Sequence, residues 1–239
     1  MQNKLTVIVL LFSIVSAFAQ RMVVWGSESR DTTKCGEEEL FFGDFRSPVE
    51  FVEAPSFDGA TGCRLYRDSI RNGWLFDVKH IVNWKEVNDS VDRAYAPDRT
   101  VRSLTLEQWE RMREENRVRA EQSRVERLKR YRVTERTVPI SDSLAQNICL
   151  AIENGIREAN RTMSEGQVAS ESADGVEIIE IVADGTLFTF RCVVGDQLWR
   201  LKVHESEQIL PRLTDLFRAM IADVEAGRFD ETRYLDRLN

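Results

Sequence analysis

Cationic side chains at alternating positions of two neighbouring β-prone segments are the residues of this chain best suited to chemistry. Arg191 lies within Thr186–Val194, Arg200 and Lys202 lie within Gln197–His204, and His204 ends the second segment. Guanidinium forks match carboxylate and phosphate geometry, so these four residues together would suit a small anionic ligand or an acidic partner surface. They stand out because the chain is acidic, with a formal net charge of −7. The plainer account is a solvated sheet face with cross-strand pairs such as Glu180–Lys202. An acidic chain is also poorly suited to nucleic acid, which calls for a basic footprint.

Other reactive groups lead less far. Asp68 and Asp77 would oppose one another if Asn72-Gly73 formed a strict two-residue turn, and paired carboxylates can share a proton. A longer turn over Ile70–Gly73 sets Leu65 opposite Val78 and Arg67 opposite Phe76. That register is preferred, because like charges placed opposite one another are unfavourable. Of the two histidines, His80 shares a strand face with Trp74, Phe76 and Val78, which suits a packed residue. His204 adjoins Glu205 and Ser206, but a catalytic triad is made by position in space rather than by adjacency. The chain contains no Gly-x-Ser-x-Gly, His-Glu-x-x-His, Walker or Gly-x-Gly-x-x-Gly pattern. No pattern calls for a metal or a cofactor, and no catalytic residue is assigned. The leading expectation is therefore a non-catalytic binding or assembly protein. A hydrolase remains the alternative, since carboxylate-based sites leave no local signature; it would need a cleft holding carboxylates with shifted pKa values.

The four cysteines, Cys35, Cys63, Cys149 and Cys192, show no Cys-x-x-Cys spacing, which argues against a redox pair or a structural zinc. In an exported chain they are expected to form disulfides. The favoured pairs are Cys35–Cys63 and Cys149–Cys192, each contributing about 3.5–4 kcal/mol on the chain-entropy account.

The elements that must position these groups are clearest in the C-terminal part. Val176–Ala183, Thr186–Val194 and Gln197–His204 are rich in β-branched and aromatic residues, separated by Asp184-Gly185 and Gly195-Asp196. Such pairs favour tight hairpin turns, and the three segments are expected to form a meander. Its register puts Ile179, Ile181, Phe188, Phe190, Cys192, Trp199, Leu201 and Val203 on one core face, leaving Arg191 and Arg200 in a row with Ile178 on the other. Two amphipathic helices can cover the core face. One starts at Ser141 or Asp142 with the stripe Ala145, Ile148, Cys149, Ile152, Ile156 and Ala159. The other runs from about Gln208 to Ala226, ahead of Gly227, with Leu213, Leu216, Phe217, Met220 and Val224. Cys149 and Cys192 converge between these layers, which is the reason for pairing them.

Residues 20–102 read as a β-rich region. Short strands or loops fall at Met22–Trp25, Leu40–Phe45 and Val49–Val52, a hairpin joins Cys63–Asp68 to Trp74–Val82, and a short helix covers Asn83–Ala94. Residues 103–139 read as a charged helical connector, capped by Thr105 and Gln108 and running to about Tyr131. Its alternating charges suit either an exposed link between the halves or a docking arm for a partner. Residues 140–239 form the α-β-β-β-α unit. The fold class is α+β, and the N-terminal strands either make a second lobe or extend the same sheet.

Residues 1–19 have the form of a signal peptide: Lys4, the apolar run Leu5–Val15, then Ala17-Phe18-Ala19. The run is too short to span a bilayer, and no cysteine sits at the cut to carry a lipid. The expectation is export to the periplasm, with the cell surface or medium as alternatives, and no transmembrane segment thereafter. Two stretches carry a resemblance. One is Arg67-Asp68-Ser69 with Val78-Lys79 and Asn83-Trp84-Lys85-Glu86-Val87; the other runs from Asp184-Gly185-Thr186 through Thr189-Phe190-Arg191, Val194-Gly195-Asp196 and Leu198-Trp199 to His204. Together they resemble a group of uncharacterised exported proteins of Gram-negative bacteria. The resemblance implies export and a shared fold, and no activity.

Overall fold

Period-two patterning in six segments builds one antiparallel sheet. The computed structural model describes residues 36–43, 47–70, 72–96, 105–170, 185–194, 197–204 and 210–238. The strands are β1 (Val49–Pro55), β2 (Thr61–Asp68), β3 (Gly73–Ile81), β4 (Val133–Ile140), β5 (Thr186–Val194) and β6 (Gln197–His204). They lie in the order β4-β3-β2-β1-β5-β6, and every neighbouring pair is antiparallel. The fold is α+β, and the N-terminal strands extend the sheet of the C-terminal part.

One face is apolar. Val49 and Phe51 of β1, Cys63 and Leu65 of β2, Phe76 and Val78 of β3, and Phe188, Phe190 and Cys192 of β5 are all buried there. Among the six helices described, α4 (Asp142–Ser170), α5 (Pro211–Glu225) and α6 (Thr232–Leu238) pack on this face. Helix α4 starts where Ser141 Oγ accepts the Leu144 N–H at 3.2 Å, the N-cap bond expected of serine. Its residues Leu144, Ala145, Ile148 and Ile152 are buried. Helix α5 begins with Pro211, where a missing N–H costs nothing, and Gly227 follows it with φ 66°. Phe217 on α5 stacks on Phe51, with centroids 5.0 Å apart and planes 17° apart, and Phe190 lies 5.0 Å from the same ring. Tyr234 of α6 donates to Asp223 at 2.6 Å, and Arg228 and Arg233 reach the same carboxylate at 2.8 Å each. These donors, Tyr234 foremost, hold Asp223 below the usual carboxylate range. Burial, and then the hydrogen bond to Asp223, push the Tyr234 hydroxyl up to about 12.

Several expectations are corrected. The place beside β5 belongs to β1, not to Val176–Ala183, which lies outside the described residues. Phe51 rather than Ile179 faces Phe190, and Glu50 rather than Ile178 faces Arg191. The physical reason is visible in that register: β1 supplies both an aromatic ring for the core and an acid for the arginine. The β2–β3 register is shifted by two residues from the one preferred, with Leu65 opposite Phe76, Arg64 opposite Asp77 and Asp68 opposite Gly73. Asp68 and Asp77 therefore do not form a pair; Asp77 takes a cation as its neighbour instead. Residues Leu40–Phe42 are helical, within α1 (Glu37–Phe42), rather than strand or loop. The connector region ends in β4, whose residues are mostly solvent-facing. This edge position accommodates Pro139, which lacks a ladder donor.

Candidate functional site

The opposite face of the sheet carries a row of charge. Reading across the strands, the register aligns Arg200, Arg191, Glu50, Arg64, Asp77 and Thr137. Arg191 and Glu50 are 2% and 1% exposed and stand 3.6 Å apart at their charged atoms. Arg64 Nε donates to Asp77 at 2.9 Å, and the Thr137 hydroxyl donates to the other Asp77 oxygen at 2.6 Å. The neighbouring Tyr66 hydroxyl is pushed above its ordinary value, first by burial and then by the Asp77 charge. Helix α1 closes over part of this face. Phe41 and Phe42 are buried on it with Val52, Ala60 and Ile81, and Phe41 sits so close to Gly62 that a Cβ there would lie 2.7 Å from its ring. Only glycine at position 62 permits that approach.

This geometry overturns the reading of Arg191 as a group on a solvated face. It is 2% exposed and its charge is met by Glu50 on the neighbouring strand β1, so its guanidinium is not presented to a ligand from solvent. The backbone sets Arg200 opposite Arg191, Lys202 opposite Thr189 and His204 opposite Leu187; the side chains of Arg200, Lys202 and His204 lie outside the description. The row acts as a register lock, since a one-residue slip would turn its charges into the apolar core. His80 Nδ1 meets the Thr61 hydroxyl at 2.7 Å, which makes it a hydrogen-bonded strand residue. Cys63, Cys149 and Cys192 are free thiols, and Cys35 lies outside the described residues. Cys63 points into the core shared with Phe51 and Val78. Burial, and after it the nearby Cys149, push the Cys192 thiol up to about 12. Among the described residues no group of His, Cys, Asp and Glu is placed to hold a metal ion. No described helix is long and apolar enough to cross a membrane.

A second feature is a helical arm. Helix α2 (Trp84–Ala94) and α3 (Leu106–Arg130) run antiparallel, joined near the sheet by polar contacts. Asn83 bridges the Arg130 carbonyl at 3.0 Å and the Arg132 N–H at 2.7 Å. Asn88 donates to the Tyr131 hydroxyl at 2.9 Å, Arg130 donates to Ser90 at 3.2 Å, and Arg127 pairs with Asp92. A cleft of about 600 Å³ lies between the two helices, bordered by Tyr95, Asn116, Arg119, Ser123 and Arg127. At about 1.5 Å per residue α3 spans roughly 37 Å, more than twice the length of α2.

The helix is supported by its own sequence. Thr105 and Gln108 form a reciprocal capping box, with bonds of 3.3 and 3.0 Å. Ion pairs follow along its length: Glu107–Arg111 at 3.3 Å, Glu114–Arg117 at 2.6 Å, Glu121–Arg124 at 2.8 Å and Glu126–Arg130 at 2.8 Å. The hydrogen bonds from Arg117 and Arg124 hold Glu114 and Glu121 below the usual carboxylate range. Yet Ser123 is the one buried residue of the helix, while Leu106, Trp109, Val118 and Val125 are 73%, 45%, 42% and 37% exposed. Packing usually supplies most of a helix's stability; here local pairs substitute for it and the apolar residues face water. The exposed cap and pair pattern was readable from the sequence. The Glu50–Arg191 pair was not singled out, although a lone acid within the apolar run Val49–Val52 was a signal for it. Compared with protein-family models, with curated proteins and with solved structures, the chain matches none.

Proposed function

We propose that this chain is an exported, non-catalytic binding or assembly protein of the periplasm or cell surface, and that α3 is its working surface. One observation carries the reading: a capped 25-residue helix with a single buried residue exposes Leu106, Trp109, Val118 and Val125. Exposed apolar groups on a preorganised rod are costly in isolation and favourable once covered. A photoreactive amino acid placed at Trp109 tests it in the native cell envelope. Discrete adducts are expected at position 109 and not at Phe57, which is 75% exposed on a loop. Equal labelling at both positions, or none at 109, would remove the arm as a docking surface.

Export carries its own expectation. The thiols of Cys149 and Cys192 are neighbours between α4 and β5, and we propose that they pair in an oxidising compartment. Peptide analysis of the chain recovered from its own envelope should show Cys149 and Cys192 joined. Recovery with both thiols alkylatable would argue against the pair.

A further inference from the structure

We infer that the cleft between α2 and α3 binds an anionic sugar, a uronic acid or a sugar phosphate, with Arg119 as the residue that holds its charge. Asn116, Ala120, Ser123 and Arg127 recur at steps of three and four on α3, so they share one helix face. Arg119 lies beside them, and all border the cleft opposite Asp92 and Tyr95. Paired helices usually close such a face with apolar side chains. Here the small residues Ala120 and Ser123 leave about 600 Å³ open, within the size range of small-ligand sites, and most of the walls are polar. The space is too large for a bare ion and too polar for a lipid tail.

Arg119 supplies the charge. It is half-buried at the cleft wall and stands four residues after Glu115, the spacing that pairs Glu107 with Arg111 and Glu126 with Arg130. Among the described residues, however, it pairs with neither Glu115 nor any other acid. Arg127 is already committed, donating to Ser123 Oγ at 3.1 Å and pairing with Asp92. Asp92 and Arg127 thus cancel, and Arg119 carries the positive charge left in the cleft. Its guanidinium fork matches carboxylate or phosphate oxygens. The other walls suit sugar hydroxyls. The Asn116 amide and the Tyr95 hydroxyl can each donate and accept, and neither has a hydrogen-bond partner among the described residues. The Asp92 carboxylate is largely exposed beyond its contact with Arg127 and accepts hydroxyl protons. The Tyr95 ring offers an apolar surface to the C–H face of a pyranose. Trp109 lies about two turns beyond Asn116, and Val118 and Val125 lie on the far side of the helix. Failure of sugar binding therefore leaves the labelling test at position 109 untouched.

Heteronuclear NMR of the purified protein, following backbone amides and arginine Nε–H groups, tests this with three probes at constant ionic strength. They are glucuronate, the phosphate monoester of glucose, and neutral glucose. Saturable shifts centred on Tyr95, Asn116 and Arg119 are expected with at least one of the two anions, half-complete below about 10 mM, and not with glucose. A response to glucuronate alone would identify the anion as a carboxylate, and to the phosphate monoester alone as a phosphate. Arg119→Gln should weaken binding at least about tenfold, the loss of a charge-assisted pair. Ala120→Leu keeps the arginine but fills the cleft, and should weaken binding by a similar factor. Arg119 makes no ion pair among the described residues and Ala120 is exposed, so both variants should fold; should one not, the other gives the same readout. No saturable shift with either anion, an equal response to glucose, or a folded variant that binds as tightly as the wild type would each overturn the proposal.

Discussion

Replacing Arg191 by alanine should lower the unfolding free energy by about 3–5 kcal/mol, because it removes the buried guanidinium that stands 3.6 Å from the buried Glu50 carboxylate. Glu50 is 1% exposed, so water cannot take over the role of the lost cation. Charge reversal at Arg191 should be worse still, setting two carboxylates together. The double replacement Glu50→Leu with Arg191→Met should recover most of the loss, since apolar residues of similar volume often replace a buried pair without penalty. Urea unfolding followed by circular dichroism measures all three. An Arg191→Ala variant within about 1 kcal/mol of the wild type would mean that the arginine is solvated, and the covered face described above would be wrong.

Phe51→Ala should cost about 3–5 kcal/mol, the range for truncating a buried aromatic ring. Phe51 is fully buried and contacts three rings: Phe188 at 6.3 Å, and Phe190 and Phe217 at 5.0 Å each. Its partners come from β5 and α5, so the residue joins strands near the start of the described chain to elements near its end. Phe51→Leu should cost less than half as much as the alanine variant, by keeping most of the volume. A double-mutant cycle of Phe51 and Phe217 should show coupling of about 0.5–1.5 kcal/mol. Coupling near zero, with a small single-variant cost, would separate the two parts of the core.

Local signals in the sequence account for much of the fold. The Gly195-Asp196 turn places Val194 opposite Gln197, and the structure has that register. The apolar stripes of α4 and α5 are buried where helical spacing puts them, from Ala145 to Ile152 and from Leu213 to Val224. The neighbour of β5 was not legible, because alternation marks a strand without naming its partner. Both Val49–Pro55 and Val176–Ala183 offer alternation. What distinguishes them is that only β1 sets an acid opposite Arg191 while placing Phe51 under Phe217. Arg191 itself looked like a surface group for the same reason: its environment is made by a strand some 140 residues away in sequence. Strand β4 was missed because it lies at the sheet edge, where most of its residues face solvent and the contrast between its two faces is weak. The arm was legible as a helix from its cap and charge spacing, but its exposure depended on how far α2 reaches along it.

The placement of β1 in the middle of the sheet has a consequence for the order of assembly. Strands β1 to β4 can pair as soon as residue 140 has emerged, but the outer edge of β1 has no neighbour until β5, with Val49 waiting for Cys192. During that interval a row of unsatisfied amides and the ring of Phe51 stay open to any passing strand. Closure of so long a loop is slow relative to local hairpin formation. A chain that emerges N-terminus first with this topology leaves the outer edge of β1, its most aggregation-prone edge, uncovered until β5 arrives.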